Sequence, residues 1–436
     1  MESFWFVAYL ILLALALGQS LLLALQTWEH RRYARSGMRG VGAFYPSGHV
    51  GVFAPCKGID VDLHGNLSSL MRQEYDDYEV AFIVESEEDP ASEVIRRVMA
   101  EHPQVAARLV VAGRATQCGQ KTHNLRAATA ELPERVEYLV FVDSDARPRR
   151  EWLRMMIRRL NRPEVGAVTG YRWLIPVRSS WANHLLYSIN CIVMSLLGKT
   201  SHSMIWGGSW GIRRELFDSI DLHRVWEGTL SDDLAVSRVL RRRKLEVRFE
   251  PACVVGSPAD YGGAEMLSFL RRQYFLGRCY VPDWWLFGLV TSTLSSLTWL
   301  VNLVALGSGL ARGTPPVWIP ACALGVLYLL SVFRGAVRQD LIRTYFPDRQ
   351  RDLKQARRFD TWMTPLVTLT NWLGLFASMF GRRVTWRGIR YRVSRDGHVL
   401  SLRREDEPIG APEEDGRQRQ GVGVHAPEHH LYGKAG

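Results

Sequence analysis

The sequence predicts an α/β fold, a doubly wound and mostly parallel sheet, carried between N- and C-terminal transmembrane helices. Three observations predict it. Four stretches hold no charged side chain and are long enough to cross a bilayer: Phe4–Leu25, Trp284–Ala311, Gly313–Phe333 and Thr361–Gly381. A mixed, charged segment of about 250 residues separates the first from the second, the size of one α/β domain. Inside that segment short apolar runs alternate with helical patterns, the signature of a largely parallel sheet.

The first apolar stretch admits two readings, a signal peptide or a stop-transfer anchor. It has no basic region before it, and the flank that follows, His30-Arg31-Arg32-Tyr33-Ala34-Arg35, is basic. That asymmetry favours an anchor, residues 1–29, that leaves a domain at 30–283 in the cytosol. A linker rich in Gly and Arg comes next. Strands are expected at Val50–Ala54, Tyr78–Val84, Ala107–Ala112, Glu137–Val142 and Gly166–Thr169, with helices at Leu63–Arg72, Ala91–Ala100 and Arg150–Asn161. In such a sheet ligands sit beyond the carboxyl ends of the strands.

A membrane region follows at 284–381, with a basic interfacial segment at 334–360, then a basic segment at 382–404. Residues 405–436 are polar and rich in Gly and Pro, and are expected to be disordered. If all three later stretches crossed, the Arg-rich 382–395 would lie outside, against the positive-inside bias. One C-terminal stretch is therefore expected to be re-entrant or interfacial, the one containing Pro365 being the candidate.

The net charge of +11 raises nucleic-acid binding as a reading. The basic residues crowd beside the apolar stretches instead, as in Arg334, Arg338, Arg343, Arg349, Arg351, Lys354, Arg357 and Arg358. Anionic headgroups or topology alone explain such clusters, so no nucleic-acid partner is expected. The six cysteines are scattered without a CxxC, which fits a reducing compartment and argues against a zinc site.

Chemistry concentrates at strand ends. The fourth strand runs into Asp143-Ser144-Asp145. Two carboxylates at i and i+2 are either a solvated turn or a holder for Mg²⁺ or Mn²⁺ on a diphosphate. The second strand runs into Glu85-Ser86-Glu87-Glu88-Asp89, an acidic loop or an acceptor for a nucleobase or ribose. Ser231-Asp232-Asp233 opens a helical run, as an ordinary cap or as a general base for an acceptor hydroxyl. Arg271-Arg272-Gln273 precedes the membrane region, as a basic helix or as a clamp on a departing diphosphate.

In order along residues 50–395, these segments resemble ceramide glucosyltransferases, a lipid-acting branch of the family 2 glycosyltransferase fold. Pro55-Cys56-Lys57-Gly58-Ile59-Asp60 resembles the family's Pro-x-Lys-Gly-x-Asp, and Glu88-Asp89-Pro90-Ala91 its first acidic motif. Lys121-Thr122-His123-Asn124-Leu125 matches Lys-x-x-Asn-Leu, and Asp143-Ser144 the second acidic motif. Asp232-Asp233 stands where the family has Glu-Asp. Thr385-Trp386-Arg387-Gly388-Ile389-Arg390-Tyr391-Arg392 resembles a Trp-Arg-x-x-x-Tyr-Arg tail. The family's Arg/Gln-x-x-Arg-Trp motif lacks its Trp here, which leaves Arg271, Arg272 and Gln273 as alternatives.

The resemblance implies a nucleotide-sugar-binding glycosyltransferase fold and inverting transfer of a hexose, glucose first, from a UDP-sugar to a ceramide-like lipid hydroxyl. It implies donor contacts from Lys57, Glu85, Asp89, Lys121, Asn124 and Asp143, a metal at Asp143 and Asp145, and Asp233 as the base beside Asp232. The reaction would occur at the cytosolic face, of the inner membrane in a bacterium or of Golgi or ER in a eukaryote. Rival readings are a processive polysaccharide synthase, which needs more membrane helices, a polyprenyl-phosphate sugar transferase, and a scaffold with a dead transferase domain.

Overall fold

Period-two alternation makes the central sheet apolar on both faces. In the strand Val136–Val142, Val140 and Val142 pack into one layer, while Leu139 and Phe141 pack into the other. The structure is a computed structural model and describes residues 2–39, 46–199, 203–313, 317–405 and 414–415. Seven strands form the sheet: β1 His49–Pro55, β2 Tyr78–Val84, β3 Ala106–Val111, β4 Val136–Val142, β5 Val165–Pro176, β6 Ser209–Arg213 and β7 Glu246–Ala259. Their order is β3-β2-β1-β4-β6-β5-β7. β6 alone runs against its neighbours; the other pairs are parallel. The mostly parallel, doubly wound sheet read from the sequence is the one observed.

The first four expected strands coincide with β1–β4 to within a residue or two, and β5 runs on to Pro176. β6 and β7 escape a sequence reading. β6 is five residues long, and β7 contains Pro251, Gly256 and Pro258, which read as breakers. The β5–β7 register shifts between Thr169 and Tyr171. A side chain at Gly170 would lie 1.9 Å from the Cys253 carbonyl, so only glycine lets the strands approach there.

Three helices among the described residues are long and apolar enough to cross a membrane: Phe4–Arg39, Pro282–Arg312 and Trp318–Tyr345. Their contacts fix their directions. Tyr9 donates to Asn302 at 2.8 Å and Gln19 to Ser295 at 2.8 Å, so the first two helices run antiparallel. Trp28 stacks on Phe333, and Arg31 and Arg35 pair with Asp340 at 2.6 and 2.5 Å, so the first and third run parallel. Arg39, Pro282 and Asp340 thus lie at the end of the bundle that faces the sheet.

The fourth apolar stretch, Thr361–Gly381, forms no helix long enough to join these three. It breaks at Met363, and Pro365 sits in the first turn of the helix Thr364–Ala377. Fourteen residues give about 21 Å, short of a hydrocarbon core of about 30 Å. That helix packs on Pro282–Arg312 and on the helix Gly263–Tyr280. With only these three helices long enough to cross, the chain would end its membrane region on the side of the sheet, and the parity conflict would disappear. The helix Lys354–Trp362 is fastened there by the buried pair Arg338–Asp360 at 2.9 Å, with Gln339 donating to the same carboxylate at 2.5 Å.

The chain then forms an antiparallel unit, β8 Arg383–Trp386, β9 Ile389–Val393 and β10 Val399–Arg404. Its inner residues Val384, Ile389, Tyr391 and Val393 pack on Phe275 and Tyr280. The Tyr391 hydroxyl accepts from the Gln120 amide at 3.2 Å. The expected disordered tail, 405–436, lies outside the described residues except for Glu405 and the pair Glu414–Asp415 beside β10.

Three crossings predict a labelling pattern. Cysteines introduced singly at Arg97, Arg351 and Arg312, all exposed, in a background without the six native cysteines, should react with an impermeant maleimide from two sides. Arg97→Cys and Arg351→Cys should label from one side and Arg312→Cys only from the other. Labelling of Arg351→Cys and Arg312→Cys from the same side would contradict the arrangement.

Candidate active site

The order of the sheet reverses at β1, whose two neighbours β2 and β4 lead to opposite edges, and polar side chains gather beyond the carboxyl ends there. β1 delivers Lys57 and Asp60, β2 delivers Glu85, and β4 delivers Asp143, Ser144 and Asp145. The helix Gln120–Ala128 brings Lys121 over the cleft, and the helix Asp232–Arg242 brings Asp232 and Asp233 from the far side.

Lys121 is the hub. Its ammonium lies 2.7 Å from Asp143 and 3.2 Å from Asp232, and donates to the Gly207 carbonyl at 3.2 Å. Burial alone would lower its pKa, but Asp143, Asp232 and Asp233 outweigh burial and raise it. Burial opposes ionisation of Asp143, while Lys121 and Arg172 pull its pKa below the ordinary value.

Asp145 has the opposite fate. Arg172, from β5, reaches it at 2.8 Å. Even so, burial, with Asp143 and Asp60 adding, pushes Asp145 upward against that arginine. One oxygen, Oδ1, is buried with no hydrogen-bond partner among the described residues. An orphaned acceptor beside a second carboxylate fits a cation. Among the described residues no three His, Cys, Asp or Glu side chains group as a closed metal site. Two carboxylates suit an ion of the Mg²⁺ type, which completes its shell with phosphate and water.

Asp232 and Asp233 are adjacent but differently held. Asp233 accepts from the Gly207 amide at 2.7 Å, from Ser231 Oγ at 2.5 Å and from the Leu234 amide at 2.8 Å. A Cβ on residue 207 would lie 2.8 Å from that carboxylate, so glycine is what admits the contact. Asp233 is part-exposed to the cleft, whereas Asp232 is buried. Burial raises the pKa of Asp232 to about 7, with Lys121 opposing and Asp233 and Asp143 adding.

The other expected residues divide. Asn124 lines the cleft and accepts from Gln120 at 2.8 Å. Glu85 is enclosed by Lys57 and by Arg404, the latter at 2.6 Å. Asp89 accepts from the Gly58 and Ala91 amides, both at 2.9 Å, and so shapes the loop after β1. Neither Glu85 nor Asp89 lines the cleft, but Lys57 does. Arg271 donates to the carbonyls of Arg383 and Phe380 at 3.2 and 3.0 Å and lies outside the cleft. Arg272 and Gln273 line it. The Arg272 guanidinium sits between the rings of Phe269 and Trp386, 5.3 and 5.2 Å from their centroids. Its Nε has no hydrogen-bond partner among the described residues. Burial lowers its pKa to about 10, which leaves it charged at neutral pH. Trp386, from the C-terminal segment, thus covers one face of Arg272.

Sequence reasoning assigned no role to Arg172, Asp60, Trp386 or Arg387. Arg172 had a visible signal, as the one charged residue in the apolar run Val165–Pro176. Arg387 lies at the β8–β9 turn with φ 51°, followed by Gly388 at 74°. That turn aims its guanidinium at Asp60, which also accepts from Ser144 Oγ at 2.6 Å. A residue near the C-terminus thereby braces the Asp143–Asp145 loop.

The cleft opens into a cavity of about 690 Å³ that runs from Asp143 and Asp233 to Trp284, Gly288 and Thr291 on one membrane helix and to Gln19 and Leu23 on another. Leu186, Ile189 and Leu196 give its middle part an apolar wall.

The family model for glycosyl transferase family 21 matches residues 9–399. Over 79 residues, 18% of this chain, the sequence is 34% identical to ceramide glucosyltransferase 1 of Caenorhabditis elegans. It is 32% identical over 79 residues to ceramide glucosyltransferase 3 of the same organism. The matched part spans 17% of the length of each relative. Among solved structures, the chain is similar to the mannosyltransferase PcManGT from Pyrobaculum calidifontis in complex with GDP-Man and Mn²⁺, with 17% identity and a TM-score of 0.43 over 80% of this chain and 99% of that one. It is also similar to GalNAc-T7 with UDP, GalNAc and Mn²⁺, at 10% identity and a TM-score of 0.37 over 53% and 50% of the two chains.

The held proton of Asp232 predicts a stability signature. In the unfolded chain this carboxyl is ionised above about 3.9, whereas the folded one keeps its proton to about 7. The parent therefore loses stability relative to Asp232→Asn as pH rises through that window. Unfolding midpoints in detergent at several pH values would show the gap, and a constant difference would contradict the raised value.

Proposed function

The chain belongs to glycosyl transferase family 21, and on that premise we propose that it transfers a hexose, glucose first, from a UDP-sugar to the hydroxyl of a ceramide-like lipid. The transfer inverts the anomeric centre and takes place at the cytosolic face of the membrane. The observation that carries this reading is the single cavity, with charged residues at one end and membrane helices at the other. A soluble donor and a bilayer acceptor would meet midway, at Asp233.

In this reading Asp233 takes the proton from the acceptor hydroxyl as the oxygen attacks the anomeric carbon. The Gly207 amide and the Ser231 hydroxyl hold its carboxylate in place for that step. Asp232 stays behind it as the buried partner of Lys121. Lys57 and Asn124 contact the donor, with Glu85 and Asp89 fixing the loops around the nucleotide. Lys121, Arg172, Arg272 and Arg387 offset the growing charge on the departing UDP. Asp143 and Asp145 would hold Mg²⁺ or Mn²⁺, which when bound adds to that charge stabilisation. The ring sandwich around Arg272 keeps its planar donors fixed and largely free of water.

General-base help is worth about 10²–10⁴-fold. Asp233→Asn should fold and bind UDP but lose at least about a hundredfold in transfer rate. Asp232→Asn should lose much less. A dead Asp232→Asn with an active Asp233→Asn would move the base by one residue. EDTA should abolish turnover and Mn²⁺ or Mg²⁺ should restore it, while Asp145→Ala should stay folded and lose most activity. Full turnover in chelator would remove the metal from the scheme.

A further inference from the structure

Three consecutive residues cross the middle of the cavity, and each touches a different part of it. At Gly208 a Cβ would lie 3.1 Å from Asp143, at the charged end. The Gly207 amide donates to Asp233 at 2.7 Å, and its carbonyl accepts from Lys121 at 3.2 Å. Trp206 stands on the other side of Gly207. Its ring meets that of Tyr171, with centroids 4.5 Å apart at 46°, and packs in the cluster that holds Cys191 and Met194 of the helix Trp181–Met194. That helix supplies Leu186, Ile189 and Val193 to the apolar wall. Donor end, base and lipid wall thus follow one another in chain order.

The backbone of Trp206 is fixed. Its amide donates to Thr169 Oγ1 at 2.9 Å, and its carbonyl accepts from the Ser209 amide at 3.1 Å. The side chain is half-buried and lines the cavity, and its indole N–H makes no hydrogen bond among the described residues. The indole N–H groups of Trp173 and Trp210 also lack partners, but they are buried away from the cavity. Trp284 and Trp386 do line it, the first among the membrane helices and the second over Arg272. Trp206 alone of these adjoins the residue that holds Asp233. An indole is a donor with no acceptor, set on an apolar ring. It suits an uncharged carbonyl that lies beside hydrocarbon.

We propose that Trp206 sets acceptor specificity: its indole N–H donates to the amide carbonyl of the lipid head while Asp233 faces the reacting hydroxyl. The inference rests on the reading of this cavity as the site of a ceramide-like acceptor, and it names the residue and the lipid group that recognise each other. In such a lipid the amide stands on the carbon next to the hydroxymethyl group, so carbonyl and hydroxyl are a few bonds apart. On the protein the two contacts are spaced to match, because Trp206 and Gly207 are neighbours with Cα atoms about 3.8 Å apart. The ring face then borders the first carbons of the chains as they pass to the apolar wall.

The test compares N-acyl sphinganine with a dialkylglycerol of the same two chain lengths, which keeps a primary hydroxyl and has no carbonyl. Binding to the purified full chain in neutral detergent is measured by native mass spectrometry, with UDP binding titrated in the same preparations. Trp206→Phe keeps a ring against Tyr171 and deletes the N–H. It should weaken N-acyl sphinganine by about fivefold, the worth of one neutral hydrogen bond, and the dialkylglycerol by less than about twofold. UDP binding and the KM for UDP-glucose should not change. Equal weakening of the two lipids would make Trp206 a packing residue and overturn the proposal. Unchanged affinity for N-acyl sphinganine would overturn it, as would a loss confined to the KM for UDP-glucose, which would turn the indole toward the sugar. Binding of neither lipid by the parent would overturn both this proposal and the acceptor reading beneath it. A parent that binds both lipids and transfers hexose to neither would count against the transferase reading alone, and the binding comparison would still decide the role of Trp206.

Discussion

Asp60, Asp143, Asp145, Asp232 and Asp233 converge within one cleft, and such a group of carboxylates holds together only if cations are built in among them. Lys121 bridges Asp143 and Asp232, Arg172 takes Asp145, and Arg387 takes Asp60. An unpaired buried charge costs several kcal/mol. Each cation comes from a different part of the chain: one from the helix after β3, one from β5, one from the C-terminal β8–β9 turn. The cleft is therefore complete only when the chain after the membrane helices has returned and docked.

The C-terminal strands serve as a brace more than as a basic tail. Arg404 closes Glu85, Tyr391 meets the start of the Lys121 helix, and Trp386 covers Arg272. Three separate contacts thus tie the end of the chain to the residues around the cleft. The same docking leaves Arg390 and Arg392 exposed on the outer face of β9.

Much of this was legible in the sequence, for physical reasons. β1, β2 and β4 are buried on both faces and read as near-continuous apolar runs, so they announce themselves, and the edge strand β3 is marked by its apolar Leu109-Val110-Val111 end. The acidic pair after β4 stands where a parallel sheet presents its ligands, so position alone marked it. β7 was hidden because Pro251 and Pro258 interrupt it, and a bulge against β5 absorbs the irregularity. The pairing of Asp60 with Arg387 was hidden because its meaning is pairwise and long-range. Asp60 and Arg387 are far apart in the chain, and no local pattern connects them. Arg271 and Arg272 are neighbours in sequence, yet helix geometry turns one toward the 380–383 turn and the other into the cleft.

The central claim is that the donor cleft and the bilayer open into one cavity, so that sugar passes from a soluble nucleotide to a membrane lipid. The most direct measurement is to place the purified chain in nanodiscs of total membrane lipid with UDP-glucose labelled in the hexose, then to partition the products. The account predicts label in the organic phase on a single lipid class, with one hexose per molecule by mass spectrometry and equimolar UDP released. Label confined to the aqueous phase, as free hexose or as a polymer, would contradict it.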